Sequence, residues 1–223
     1  MTTLRPEAHT EVIVYDLDGV ITTRDSFTAF VVEQLRRRPL RLFRVLPAAV
    51  MMLLSRQEKR RRDAAARVTE VALSGLRDND YSGLAAAFGK RIGNDHSWIR
   101  AATVERIRRQ SAQGTRIVVA TATERRLAQA LLAQAEVPYD LLSASLLTEL
   151  PTGMNVADHR VGVRKLEALR EQGIAVDQAE FVTDSMTDLP TARAAARVIL
   201  VGASKKTRDR YAQAGVAIAR TVA

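Results

Sequence analysis

The chain has no cysteine among its 223 residues. Disulfides, thiolate nucleophiles and cysteine metal sites are therefore excluded, and the composition suits a reducing cytoplasm. Histidine is nearly as scarce. His9, His96 and His159 are scattered without ligand spacing and read as surface residues. The first ten residues hold no apolar segment of the kind a secretory signal needs. Long hydrophobic runs are missing as well. The longest uncharged apolar stretch, Val45 to Ser55, has eleven residues, against the roughly 20 that a membrane-spanning helix needs. No repeat or low-complexity segment is present.

What the chain has in excess is positive charge, +9 overall, and that charge is local. Between Glu33 and Arg62 stand ten Lys/Arg (Arg36, Arg37, Arg38, Arg41, Arg44, Arg56, Lys59, Arg60, Arg61, Arg62) against Glu33 and Glu58. A local surplus implies a local partner. Only Phe43 interrupts the basic run, so it lacks the stacking platforms of a nucleic-acid site, and no nucleic-acid partner is expected. Arginines on both sides of an apolar helix suit peripheral contact of residues 36–62 with an anionic membrane, or closure over an acidic, greasy substrate. The same pattern also describes an internal helix with solvated arginine flanks.

The composition is that of a globular protein, 47% hydrophobic and 26% charged, and its central stretch is Glu11-Val12-Ile13-Val14-Tyr15-Asp16-Leu17-Asp18-Gly19. An apolar, β-branched run predicts a buried strand. It ends in two carboxylates one residue apart. In a pleated strand Asp16 and Asp18 would share a side and face a pocket beyond the carboxyl end, where open α/β sheets bind ligands. Paired carboxylates beside a phosphate call for Mg²⁺, with one attacking phosphorus and the other moving protons. An ordinary acidic turn is the alternative.

Asp25 or Ser26 suits a helix N-cap. From Phe27 to about Gln110 the chain reads as successive helices without a strand. The expected organisation is an α/β core, residues 1–25 and 111–223, with an inserted α-helical cap domain, residues 26–110. Thr115–Ala120 predicts a second strand ending in Thr121-Ala122-Thr123, where a hydroxyl beside a helix N-terminus could bind a phosphate oxygen. A third strand is expected over Asp140–Ser145, then a loop through Pro151, Gly153 and Asn155. Lys165 falls near the start of a helix over 162–171. Its default place is the surface, but it could instead reach a transferring phosphoryl group. A fourth strand ends in Asp184, one turn before Asp188, so the pair could serve one hard cation. Arg197–Val201 predicts a fifth strand, and the alanine-rich run 192–196 a helix before it.

Strands ending in acid, hydroxyl and acid again, interleaved with helices and a helix-borne lysine, describe a parallel sheet with its polar groups at one edge. With these motifs in order, the chain resembles the haloacid dehalogenase superfamily of phosphohydrolases over nearly its whole length. Asp16-Leu17-Asp18-Gly19-Val20 matches the first motif, Thr121 the second, Lys165 the third, and Asp184-Ser185-Met186-Thr187-Asp188 the fourth. The resemblance implies a three-layer Rossmann-like fold and an aspartyl-phosphate mechanism. It gives Asp16 as nucleophile, Asp18 as acid/base, and Thr121, Ala122 and Lys165 as phosphoryl-binding residues. It also implies a Mg²⁺ site of Asp16, the Asp18 carbonyl and Asp184, with Asp188 in support. Asp18 argues against the superfamily's dehalogenases. Two departures, Val20 where threonine is common and Thr183 where glycine is frequent, concern packing.

The helical insertion and Leu189-Pro190 are similar to the phosphoserine-phosphatase-like branch. Arg36-Arg37-Arg38-Pro39-Leu40 is similar to cap sequences of phosphatidylglycerophosphatases. Ala120 to Leu127 is similar to phosphatase domains that precede polyprenyl-phosphate transferase domains. The last two likenesses point toward a lipid-linked or sugar phosphate, with a soluble phosphoserine-like metabolite, or a non-catalytic binding module, as the alternative. A cytoplasmic protein, peripheral at the membrane surface in the lipid case, is expected.

Overall fold

Val12–Tyr15 forms strand β1 and is buried along almost its whole length, because it lies at the centre of the sheet and is paired on both sides. That placement explains a continuous apolar run in place of an alternating one. The computed structural model describes residues 11–55 and 57–222. His9, the N-terminal ten residues and Arg56 lie outside the described residues, as do the side chains of Glu58, Arg61 and Arg62.

The other strands are β2 (Arg116–Glu124), β3 (Leu141–Leu150), β4 (Gly153–Asp158), β5 (Glu180–Thr183), β6 (Arg197–Val201) and β7 (Ile218–Val222). They form one sheet in the order β4-β3-β2-β1-β5-β6-β7. All neighbours are parallel except β3 and β4. The chain leaves β1 toward β2 on one side and returns to β5 on the other. The carboxyl end of β1 is thus the switch point where such sheets hold ligands.

Successive residues of the central strands feed opposite faces, as the pleat requires. Ile13, Tyr15, Ile117, Val119 and Val182 join one apolar cluster, and Val14, Val118, Phe181 and Leu200 the other. Helices cover both. Between β1 and β2 run α1 (Ser26–Arg37), α2 (Leu40–Leu54), α3 (Glu58–Leu73), α4 (Asp78–Gly93) and α5 (Ala101–Ala112). Between later strands run α6 (Arg125–Gln134), α7 (Val163–Glu171), α8 (Leu189–Ala194) and α9 (Lys205–Gln213).

The helical segment shares the first apolar cluster with the sheet. Phe30 of α1 meets Tyr81 and Phe88 of α4 edge-on, with ring centroids 5.7 and 5.4 Å away. Helix α4 lies directly on α6: a Cβ on Gly89 would come within 2.8 Å of the Leu127 carbonyl, and one on Gly93 within 2.7 Å of that of Leu131. Only glycine permits so close an approach of two backbones. Helix α5 rests on the sheet, where Gln110 Oε1 accepts from the Tyr15 hydroxyl at 2.5 Å and Arg106 pairs with Glu180 at 2.7 Å.

Several local expectations are corrected. The loop expected through Pro151, Gly153 and Asn155 is the turn and returning strand of an antiparallel hairpin, with Thr148 opposite Asn155. Pro151 and Gly153 punctuate the turn and do not end the sheet. Strand β2 continues past Ala120 through Thr121-Ala122-Thr123 to Glu124. Helix α6 therefore begins at Arg125, capped by the Glu124 carboxylate, which accepts from the Arg126 and Leu127 amides. Thr121 is accordingly a strand residue and not a neighbour of the helix terminus. Helix α8 stops at Ala194 because Ala195 and Ala196 turn into β6, the Ala196 amide donating to Ala179 O at 3.0 Å. The tail adds β7, a seventh strand.

Candidate active site

Beyond Tyr15 the chain leaves strand geometry, yet the Asp16 amide still donates to Val182 O at 2.9 Å. Asp16 is therefore fixed by the neighbouring strand, and its Oδ1 accepts from the Leu17 amide at 2.8 Å. Asp18 sits in the following turn, not in the pleat, so the two carboxylates have different partners.

Asp16 faces a buried cation. Lys165, the third residue of α7, is 2% exposed. Its Nζ lies 3.2 Å from Asp16 Oδ1 and 2.6 Å from Asp188 Oδ1. The other Asp188 oxygen accepts from the Thr183 hydroxyl at 2.8 Å. Burial raises the Asp16 pKa well above the usual carboxylate value, more than the Lys165 charge lowers it, and the charges of Asp188 and Asp18 push it further up. Burial alone would lower that of Lys165, but Asp16 and Asp188 outweigh it and raise it, so the lysine stays charged.

Asp18 faces hydroxyls. Its Oδ1 accepts from the Ser26 amide at 2.8 Å and the Ser26 hydroxyl at 2.7 Å, and its Oδ2 from the Thr123 hydroxyl at 2.6 Å. Thr22 and Thr121 reach it more loosely, at 3.3 and 3.5 Å. Burial and the charge of Asp25 raise the Asp18 pKa, while the bonds from Thr123 and Ser26 restrain it. Ser26 and Thr123 were not singled out by sequence. In the sequence Ser26 reads as a helix cap, a task that Asp25 performs by accepting from the Thr28 amide at 2.7 Å. For Thr123 a signal was present: it lies two residues beyond Thr121, the strand repeat that returns a side chain to the same edge.

The structure brings Asp16, Asp18, Thr121, Lys165, Asp184 and Asp188 to one end of the sheet, with Ala122 half-buried between the two threonines. The Thr121 hydroxyl is buried, accepting from the Thr123 amide at 2.9 Å. Gly19 has φ +80°, and a Cβ there would lie 2.1 Å from Asp184 Oδ2. The Asp184 carboxylate is thus seated against the turn that carries Asp18. Its pKa is pushed up to about 6 by burial first and by the Asp188 charge second. Asp184 also opens onto a cleft of about 460 Å³ that Lys206, Thr207 and Arg210 help to line.

Four carboxylates gather here around one ammonium, which pairs with Asp16 and Asp188, and the Asp188 charge adds to burial in raising the pKa of Asp184. Among the described residues, no three acidic or histidine side chains already stand together as a ligand cluster. The donor chemistry nevertheless fits a hard divalent cation. Mg²⁺ takes one or two carboxylates, completing its shell with water and substrate oxygens. Asp188, committed to Lys165 and Thr183, is the carboxylate least free to join.

A mostly parallel sheet with acid, hydroxyl and lysine side chains gathered at its switch point defines a Rossmann-like α/β fold with a phosphatase's complement of side chains. The sequence model of the haloacid dehalogenase-like hydrolases matches residues 13–193, and the chain belongs to that family. No curated protein sequence matches it.

Solved structures show the same fold at low identity. One, a protein of unknown function from Bordetella pertussis Tohama I, superposes with a TM-score of 0.69 at 17% identity, covering 96% of this chain and 99% of its own. A phosphoserine phosphohydrolase-like protein from Francisella tularensis SCHU S4 gives 0.65 at 11% identity, covering 95% and 94%. A phosphoserine phosphatase described as a phospho-aspartyl intermediate analogue gives 0.59 at 11%, covering 96% and 93%.

Proposed function

We propose that the chain is a Mg²⁺-dependent phosphomonoesterase that works through an aspartyl-phosphate on Asp16. The observation that carries this reading is the buried Lys165 ammonium, 3.2 Å from Asp16 and 2.6 Å from Asp188 at the end of the central strand. In this reading an Asp16 oxygen attacks phosphorus and the ester P–O bond breaks, Asp18 giving its proton to the departing oxygen. Asp18, now a carboxylate, takes a proton from water. The hydroxide attacks the phosphoryl group and the P–O bond to Asp16 breaks, releasing phosphate. Lys165 favours the ionised form of Asp16 against the effect of burial and offsets charge on the phosphoryl oxygens, with Thr121 and the Ala122 backbone as further contacts. Asp16, the Asp18 carbonyl and Asp184 would hold Mg²⁺, with Asp188 behind them. The ion would supply positive charge where phosphoryl transfer concentrates negative charge. The phospho-aspartyl analogue of a phosphatase with this fold supports the reading.

We take the helical segment 26–110 as a cap over the site, and Ser26 at its root touches Asp18. The substrate is then a phosphomonoester small enough to pass beneath it. A lipid-linked phosphate is the second reading, favoured by the exposed apolar residues of α2, and the cysteine-free composition suits a cytoplasmic setting for either.

The test is hydrolysis of an aryl phosphate with Mg²⁺ and with EDTA, beside Asp16→Asn. Metal-dependent release that is lost in the variant is the expected result; an Asp16→Asn protein as active as the parent would remove the nucleophile. Soluble phosphomonoesters compared with a phosphorylated lipid then decide between the two substrate classes.

A further inference from the structure

Helix α2 wears its apolar side outward. Leu40, Phe43, Leu46 and Leu54 are 80%, 77%, 61% and 78% exposed, and Val50 and Met51 are nearly half exposed. Leu40, Phe43, Pro47, Val50, Met51 and Leu54 recur at helical spacing and form one stripe without a charge. The side turned to the protein carries Arg41, Val45 and Ala48. There Arg41 donates to the carbonyls of Ala72 and Ser74 at 2.8 and 2.6 Å, beside the buried Val45. A water-facing helix turns polar residues outward, whereas the outward side of α2 is apolar. A contiguous exposed apolar strip of this kind marks a docking surface.

Charge selects the occupant. Exposed Arg36, Arg37, Arg38, Lys59 and Arg60 flank α2 in sequence, and exposed Arg44 lies on it. Among the described residues only Arg37 of this set pairs with a carboxylate, Glu33, at 2.7 Å. A second copy of the chain would bring two such cationic sets together, whereas an anionic bilayer offers both apolar depth and negative headgroups. The geometry also fixes the mode. Fifteen residues give a helix of about 22 Å, short of the roughly 30 Å of a hydrocarbon core. Among the described residues no helix is long and apolar enough to cross a membrane.

We propose that α2 lies flat in the headgroup region of an anionic bilayer, its apolar stripe toward the acyl chains and the flanking arginines and lysine on lipid phosphates. The surface lies outside the catalytic residues, so the proposal stands whether or not the phosphatase reading does. Together with that reading, it would bring the site to a phosphorylated substrate held in the same bilayer.

The test is flotation of the full chain with vesicles of phosphatidylglycerol and phosphatidylcholine, or of phosphatidylcholine alone. Binding is expected to the anionic vesicles only. It should fall at least about tenfold between about 0.1 M and about 1 M salt, as the screening length drops from roughly 10 to roughly 3 Å. The double substitution Phe43→Asp and Leu54→Asp should abolish flotation without lowering the melting temperature. Replacing Arg36, Arg37 and Arg38 by glutamate should abolish it too. Absent binding, equal binding to neutral vesicles, or a vesicle-free dimer that Phe43→Asp splits would each overturn the proposal.

Discussion

The Thr123 hydroxyl donates to Asp18 Oδ2 at 2.6 Å, which ties the end of β2 to the carboxylate proposed as acid/base. Ser26, on the first turn of the helical insertion, takes the other oxygen at 2.7 Å, so Asp18 is held between core and insertion.

Thr123→Val should lower kcat by roughly 10- to 100-fold, the worth of a hydrogen bond to a charged group, with a smaller change in KM. The Thr123 bond favours the ionised form of Asp18. Its loss must therefore shift the pH–rate limb belonging to Asp18 to higher pH. Thr123→Ser should restore both rate and profile. A pH profile unchanged in Thr123→Val would refute the positioning role.

Lys165→Met removes the ammonium shared by Asp16 and Asp188. Turnover should drop by roughly 10²- to 10³-fold, and breaking so buried a pair should cost about 3–5 kcal/mol of stability. The stability loss should be greatest near neutral pH and shrink in acid, where the stranded carboxylates take up protons. Denaturant melts of parent and variant across pH measure this. A constant difference would mean that the lysine matters only for packing.

Asp184 predicts how metal and pH combine. Its folded-state pKa is raised to about 6, above the ordinary carboxylate value near 4. In EDTA this group therefore weakens the fold fully above pH 6, and the penalty fades as pH falls toward 4. Mg²⁺ should raise the melting temperature at pH 7.5 and have far less effect at pH 5. Asp184→Asn should remove the Mg²⁺ response while stabilising the metal-free protein above pH 6. An equal Mg²⁺ effect in Asp184→Asn would exclude Asp184 as a ligand.

Gly19→Ala places a methyl where the Asp184 carboxylate now lies, 2.1 Å from Oδ2, on a backbone with φ +80°. Backbone strain of this kind costs about 1–3 kcal/mol, and Asp184 must also move. Calorimetry should show a modest loss of stability together with a blunted Mg²⁺ response. A variant that kept the full metal response would show that Asp184 need not sit against this turn.

By itself the sequence determined the parallel α/β core and the order of its functional groups. Buried central strands write themselves as unbroken apolar runs, as in Val12–Tyr15 and residues 198–201, and Asp16 directly follows the first. It determined that Lys165 opens a helix, but not that the lysine is buried, because a basic residue near a helix start is usually solvated. The tertiary structure decided the rest. It turned Asp16 toward Lys165 and Asp18 toward Ser26 and Thr123, since the strand ends at Tyr15 and the turn that follows replaces the pleat that would have aimed both carboxylates the same way. It brought Ser26 and Thr123, 97 residues apart, within 2.9 Å of each other. It also decided which side of α2 faces water. Composition records that a helix is apolar, whereas the packing of Arg41 and Val45 against the protein settles where the apolar stripe points.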